Sequence, residues 1–147
     1  KTYNLPITIV RPFNTYGPRH TYDVVPKFIK MALSGKPITV HGDGKQSRDL
    51  TYVSDAVDAF IKIASAKNTN QKVINFGTGK DHQIIFLAKV IKKLCKSNSK
   101  IIFINTRKAE VQRLTCNPNL CKKLTGWKAK VNIIDGLKKN IEWSLKN

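Results

Sequence analysis

Three short stretches concentrate residue types that bind anions. The first, ITIVRPFNTYGPRH at residues 7–20, is a β-branched run that breaks into Arg11, Asn14, Tyr16, Gly17, Pro18, Arg19 and His20. The second, HGDGKQSRDLTYVSD at 41–55, sets Arg48 beside Asp49, a carboxylate able to orient the guanidinium, behind glycines at 42 and 44 that permit a tight turn. The third, TRKAEVQRL at 106–114, carries Arg107 and Arg113. Arginine's rigid fork suits bidentate recognition of phosphate or carboxylate. Each stretch also has a plainer reading: the second, taken alone, is equally a hairpin with a surface salt bridge. Context has to separate the two.

The 147-residue chain has a formal charge of +18, which ordinarily points to nucleic acid or an anionic membrane surface. Five of the 27 basic residues are arginines, and all five lie in or beside the three stretches. The lysines are scattered along nearly the whole chain and read as a solvated surface. Lysine makes the surface; arginine marks the site. Length and 41% hydrophobic content suit one domain with one core. No apolar run approaches the roughly 18 residues of a membrane span, and no signal-peptide h-region is visible. Cys95, Cys116 and Cys121 contain no CxxC pair, so free thiols in a reducing cytoplasm are expected, with neither a disulfide frame nor a zinc site. His41 and His82 suggest no metal cluster, and without an organised His partner a catalytic thiol is not expected.

These groups need strands and helices to position them. Residues 6–13 read as a strand, followed by a loop through Arg19 and a helix near 24–34 with Asp23 as N-cap and Gly35 as its stop. Pro37 to Val40 and Leu50 to Val53 read as short strands joined by a hairpin through HGDGKQ. Ser54 or Asp55 caps a helix to about Ala66, with Ala56, Val57, Phe60, Ile61 and Ala64 facing inward. Lys72 to Phe76 reads as a buried strand. Asp81 caps a helix over about 82–96, Ile101 to Ile104 is a further strand, and short helices fall near 117–124 and 133–146. Trp127 and Trp143 read as core packing. Alternating strands and helices argue for α/β architecture. Only 7–12 and 72–76 look like members of a large parallel sheet, fewer than a stable doubly wound sheet needs.

Together these stretches resemble the extended short-chain dehydrogenase/reductase family of NAD-dependent nucleotide-sugar epimerases and dehydratases, UDP-glucose 4-epimerase-like or dTDP-glucose 4,6-dehydratase-like. LPITIVRPFNTYGPR, VVPKFIKMALSGKPITVHGDGKQSRDLTYVSDAVDAF, VINFGTG, RKAEVQR, LTGW and GLKKNIEW are similar to the family's landmarks, in order. The resemblance implies the C-terminal part of a Rossmann-type NAD-binding fold plus a small α/β substrate-binding subdomain, with an incomplete sheet, over residues 1–147. The family's glycine-rich NAD turn has no counterpart, and none of Tyr3, Tyr16, Tyr22 and Tyr52 has a lysine four positions on. The N-terminal NAD-binding half is therefore expected to be absent, with no catalytic residue in this chain.

Carried over by the resemblance, Asn14 matches a contact to the substrate diphosphate. Arg48 matches the arginine that pairs with phosphate or ribose, and Arg107 the arginine near diphosphate and base. Arg19 and His20 are candidates for the sugar pocket, with surface placement the open alternative. Pro12 and Phe13 are expected near the NAD nicotinamide. Departures are Ala109 in place of a glycine, Cys116-Asn117 for Ala-Asp, and Ala129 for proline.

The function implied is binding of a UDP- or dTDP-sugar within a cytoplasmic NAD-dependent enzyme that is a homo-oligomer when complete. Two alternatives remain. The chain is a non-catalytic basic module for nucleic acid or an acidic partner, or it is one subunit of a split enzyme. No membrane association and no specific nucleic-acid binding are expected.

Overall fold

A computed structural model describes Tyr3 and residues 5–147. The first strand, β1 (Ile9–Pro12), pairs in parallel with β6 (Val73–Phe76), Ile9 opposite Val73 and Pro12 opposite Phe76. These are the two strands that sequence assigns to a large parallel sheet, and among the described residues β1 has no second neighbour. Two further parallel pairs are β2 (Thr15–Tyr16) with β5 (Thr51–Tyr52) and β3 (Ile38–His41) with β8 (Ile101–Ile104). In the fourth sheet β4 (Ser47–Asp49) lies between antiparallel β7 (Asp81–Gln83) and parallel β9 (Arg113–Leu114). The expected hairpin through HGDGKQ does not form, because β3 and β4 join different sheets. Its glycines do turn the chain, with φ of 61° at Gly42 and 73° at Gly44.

The helices are α1 (Val24–Leu33), α2 (Val53–Ser65), α3 (Ile84–Leu94), α4 (Asn119–Thr125) and α5 (Ile133–Lys146). None is long and apolar enough to cross a membrane. Asp23 takes the expected N-cap position of α1 without making a side-chain cap bond, while the other two expected caps are corrected: α2 begins at Val53 before either Ser54 or Asp55, and Asp81 lies in β7. A side-chain cap is seen instead at Asn132, which accepts from the Asp135 amide at the start of α5.

Apolar burial divides between two cores where composition implied one. The larger packs Val25, Phe28, Ile29, Leu87, Ile91, Leu137 and Ile141 of α1, α3 and α5 against Ile38 and Val40 of β3. Tyr16 is buried in it, so this tyrosine of the first motif is a packing residue. The smaller core joins Ala56, Ala59 and Ile63 of α2 to Ile74, Phe76, Cys121 and Trp127. Trp127 is fully buried as expected, its indole N–H donating to the Asp55 carbonyl, while Trp143 is half-buried. The inward face expected for α2 is corrected: Val57, Phe60 and Ile61 are exposed. Positions 57, 60, 61 and 64 form a second apolar stripe on the outer side of that helix.

Two carboxylates tie loops to these cores. Asp49 is fully buried and accepts from the Thr78 amide at 2.9 Å, the Thr78 hydroxyl at 2.6 Å, the Gly79 amide at 2.9 Å and the Cys116 amide at 3.1 Å. It does not pair with Arg48, the partner expected for it. A Cβ on Gly77 would lie 2.5 Å from Cys116 Cβ and 2.9 Å from Asp49 Oδ2, so only glycine lets the β6 turn approach this closely. Asp55 likewise accepts from the Lys130 and Val131 amides, at 2.9 and 2.8 Å. Replacing Asp49 by Asn (D49N) turns one acceptor into a donor facing backbone N–H groups. Urea unfolding should show a loss on the order of 3 kcal/mol; a change within about 0.5 kcal/mol, the scale of an ordinary surface substitution, would remove Asp49 from this role.

Candidate functional site

Residues along a strand alternate sides, so burial of Asp49 turns Arg48 the opposite way. Arg48 lines a cavity of about 340 Å³ together with Asn14, Lys27, Arg107 and Glu110. Its apolar floor comes from Val25, Phe28, Leu50 and Ile84, the same residue types that fill the larger core. Three of the predicted binding residues, Asn14, Arg48 and Arg107, thus meet in one cavity from three distant segments.

Arg48 is largely committed. One terminal nitrogen donates to the Ser47 carbonyl at 2.8 Å and the Val111 carbonyl at 2.6 Å, while the other is paired with Glu110. Both ion-pair partners are mostly buried, at 16% and 11% side-chain exposure. Of the five guanidinium donors, that leaves Nε–H and one terminal N–H for a ligand. Arg107 is exposed and makes no hydrogen bond or ion pair with any described residue. Between Arg107 and Glu110, Ala109 sits at φ 56°, in the left-handed region where its side chain costs on the order of 1 kcal/mol. The departure from glycine therefore falls at a position whose backbone favours glycine.

The loop after β2 supplies the other wall. Asn14 Oδ1 and His20 Nδ1 are buried without a hydrogen-bond partner among the described residues. Arg19 is exposed at φ 67° and does not line the cavity, where its neighbour His20 does. Pro12 and Phe13 line a second, more open hollow with Tyr22 and Leu114. Asn14, Thr15, His20 and Asp23 line both hollows and mark their junction.

Sequence reasoning missed Lys27, Glu110 and His41 as cavity residues. Lys27 lies inside the VVPKFIK landmark but carries no role there, and Glu110 gains meaning only from its pairing. His41 Nδ1 lies 3.0 Å from the Asn105 carbonyl, which can only accept, so that nitrogen donates. His82 lies in β7 opposite Arg48, before the start of α3, and stacks on Phe86, and burial lowers its pKa. Arg113 lies outside the cavity. Its guanidinium, helped by the Ser47 hydroxyl, holds the Asp81 carboxyl well below the usual carboxylate range.

The three cysteines are free thiols. Among the described residues, no group of three His, Cys, Asp or Glu side chains could hold a metal ion. Burial, with Asp49 nearby, pushes the Cys116 thiol up to about 12, and burial also raises Cys121 and Cys95. Thiols react as thiolates. Mass spectrometry after brief alkylation at pH 8 should therefore find Cys116 and Cys121 unlabelled in the folded protein and labelled in urea. Fast native labelling of Cys116 would contradict this.

The parallel pair β1–β6, flanked by helices, places the chain among Rossmann-like α/β proteins. The chain belongs to the NAD dependent epimerase/dehydratase family, whose model matches residues 1–77. It is 36% identical to a UDP-glucuronate 4-epimerase of Thermodesulfobacterium geofontis, covering 99% of this chain and 45% of that protein. It is 38% identical to a UDP-N-acetyl-alpha-D-glucosaminuronate decarboxylase of Bacillus cytotoxicus, covering 95% and 46%. The solved UDP-glucuronic acid 4-epimerase of Bacillus cereus, in complex with UDP-glucuronic acid and NAD, superposes with a TM-score of 0.91 at 27% identity, over 97% of this chain and 46% of that one. The chain spans about half the length of these relatives.

Proposed function

We propose that this chain is the nucleotide-sugar-binding portion of an NAD-dependent epimerase, dehydratase or decarboxylase acting on a UDP- or dTDP-sugar. The observation that carries the reading is the cavity that collects Asn14, Arg48 and Arg107 from three separate motifs. Arg107 and the two free donors of Arg48 supply a fork and a second cation for a diphosphate, with the Asn14 side chain beside them. Arg19, on the exposed rim, would meet only a part of the ligand that extends out of the cavity. Fixing the diphosphate holds the sugar in register for chemistry performed by groups outside this chain.

The residues present do not fit a whole NAD. The hollow beside Pro12 and Phe13 contains neither lysine nor arginine and no glycine-rich turn, so nothing in it would hold a pyrophosphate. Pro12 and Phe13 suit at most the flat nicotinamide end. An NAD-binding half, in the same polypeptide or in another, would instead cover the open edge of β1 and the exposed Ile7, Ile9, Val57, Phe60, Ile61 and Val73. An unpaired strand edge together with exposed apolar side chains favours a sheet partner over a nucleic acid as occupant. Homo-oligomerisation is proposed only for the assembled enzyme.

Calorimetry with UDP tests the site. Arg48→Ala should weaken binding by about ten- to a hundredfold, the range for a hydrogen bond to a charged group, while a surface lysine variant such as Lys93→Ala should not. An unchanged affinity for Arg48→Ala would sink the assignment, and binding that instead collapsed with salt for any polyanion would favour the basic-module alternative. The purified chain alone should show no epimerase or dehydratase turnover with UDP-glucose and NAD in a coupled assay; robust turnover would place catalytic groups within these 147 residues.

A further inference from the structure

Where the two hollows meet, the unoccupied polar atoms are acceptors. Asn14 Oδ1 and His20 Nδ1 are buried and unpartnered among the described residues. His20 Nε2 lies 3.4 Å from Asp23 Oδ2, and the His20 ring is held edge-on against Tyr22 with centroids 4.5 Å apart. A carboxylate only accepts, so in the neutral ring the hydrogen belongs on Nε2, leaving a bare lone pair on Nδ1. Charge is divided sharply across the junction. Arg48, Arg107 and Lys27 line the first cavity, whereas no lysine or arginine lines the second hollow, where Asp23 is the one carboxylate. Arg19, next to His20 in sequence, is exposed and lines neither.

We propose that Asn14, His20 and Asp23 form a hydroxyl-accepting subsite that selects a neutral sugar over a uronate, with His20 Nδ1 as the atom that reads the sugar. The inference rests on the nucleotide-sugar reading above and adds the class of sugar. A diphosphate drawn to the cationic end directs the attached sugar toward the junction. There, hydroxyl groups find two acceptors without partners of their own, Asn14 Oδ1 and His20 Nδ1, beside the Asp23 carboxylate. On the side of the second hollow a sugar carboxylate finds the same acceptors, the Asp23 carboxylate and no lysine or arginine in the lining, so there it would lose its water without a compensating bond.

The test is calorimetry on the 147-residue chain with UDP, UDP-glucose and UDP-glucuronate at constant salt. UDP-glucose should bind about tenfold tighter than UDP-glucuronate, a difference of about 1.4 kcal/mol. His20→Phe, which keeps a ring against Tyr22, should weaken UDP-glucose several-fold more than it weakens UDP. Asp23→Asn should narrow the gap between the two sugars by improving UDP-glucuronate. In the unmutated protein, the ¹⁵N resonance of His20 Nδ1 should move when UDP-glucose is added and stay in place with UDP, a response that mere loss of folding would not produce. UDP-glucuronate binding as tightly as UDP-glucose, or His20→Phe weakening UDP and UDP-glucose alike, would overturn the proposal while leaving the diphosphate site intact. Failure of UDP itself to bind would overturn the nucleotide-sugar reading and this inference with it.

Discussion

The buried carboxylate of Asp49 is the interaction on which the rest of the site depends. Its acceptor sites gather three backbone segments that are far apart in sequence: β4, the turn after β6, and the strand end at Cys116. No cation shares the site, so backbone and hydroxyl donors must satisfy it. Once its side chain is turned into the core, the pleat directs Arg48 to the other face. The segment ending at Cys116 brings β9, and with it the loop of Arg107 and Glu110, alongside β4. A structural anchor thereby sets the direction of a binding residue one position away.

The chain's charges divide in the same way. With only nine acidic residues against 27 basic ones, each carboxylate has a large local effect. Asp49 and Asp55 are used to pin loops, Glu110 and Asp81 to hold Arg48 and Arg113. Arg107 and Lys27 then remain to lend the cavity positive potential. The lysines on helix surfaces are exposed and screened by salt, and they contribute to solubility more than to recognition. Fixed arginines are a better basis for specificity because their forks lose less freedom when they bind.

The two cores also differ in how complete they are. The one beneath the cavity is enclosed by α1, α3 and α5. The one around Trp127 is covered on one side by α4 and open on the other, where α2 and β1 carry exposed apolar side chains. A parallel sheet is ordinarily buried on both faces and along its length, so a two-stranded pair with an open edge is physically a portion of a larger sheet. This agrees with relatives of which the chain spans about half.

Sequence by itself determined the α/β class, every helix to within a few residues, the two large-sheet strands and the family, because apolar periodicity and motif order are local and additive signals. Residue type marked all five arginines, and the family resemblance singled out Asn14, Arg48 and Arg107. What sequence misassigned were pairings. Asp49 looked like the partner of Arg48 because they are adjacent, yet neighbours in a strand point to opposite faces. HGDGKQ looked like a hairpin because turn chemistry says nothing of which sheet each flanking strand will join. Val57, Phe60 and Ile61 looked buried because hydrophobicity does not reveal whether the covering surface lies in this chain. Tertiary structure alone decided that Glu110 clamps Arg48, that Tyr16 is core and that His20, not Arg19, faces the cavity. Each of those outcomes depends on the direction of a side chain relative to segments remote in sequence, and direction is fixed only when the packing is complete.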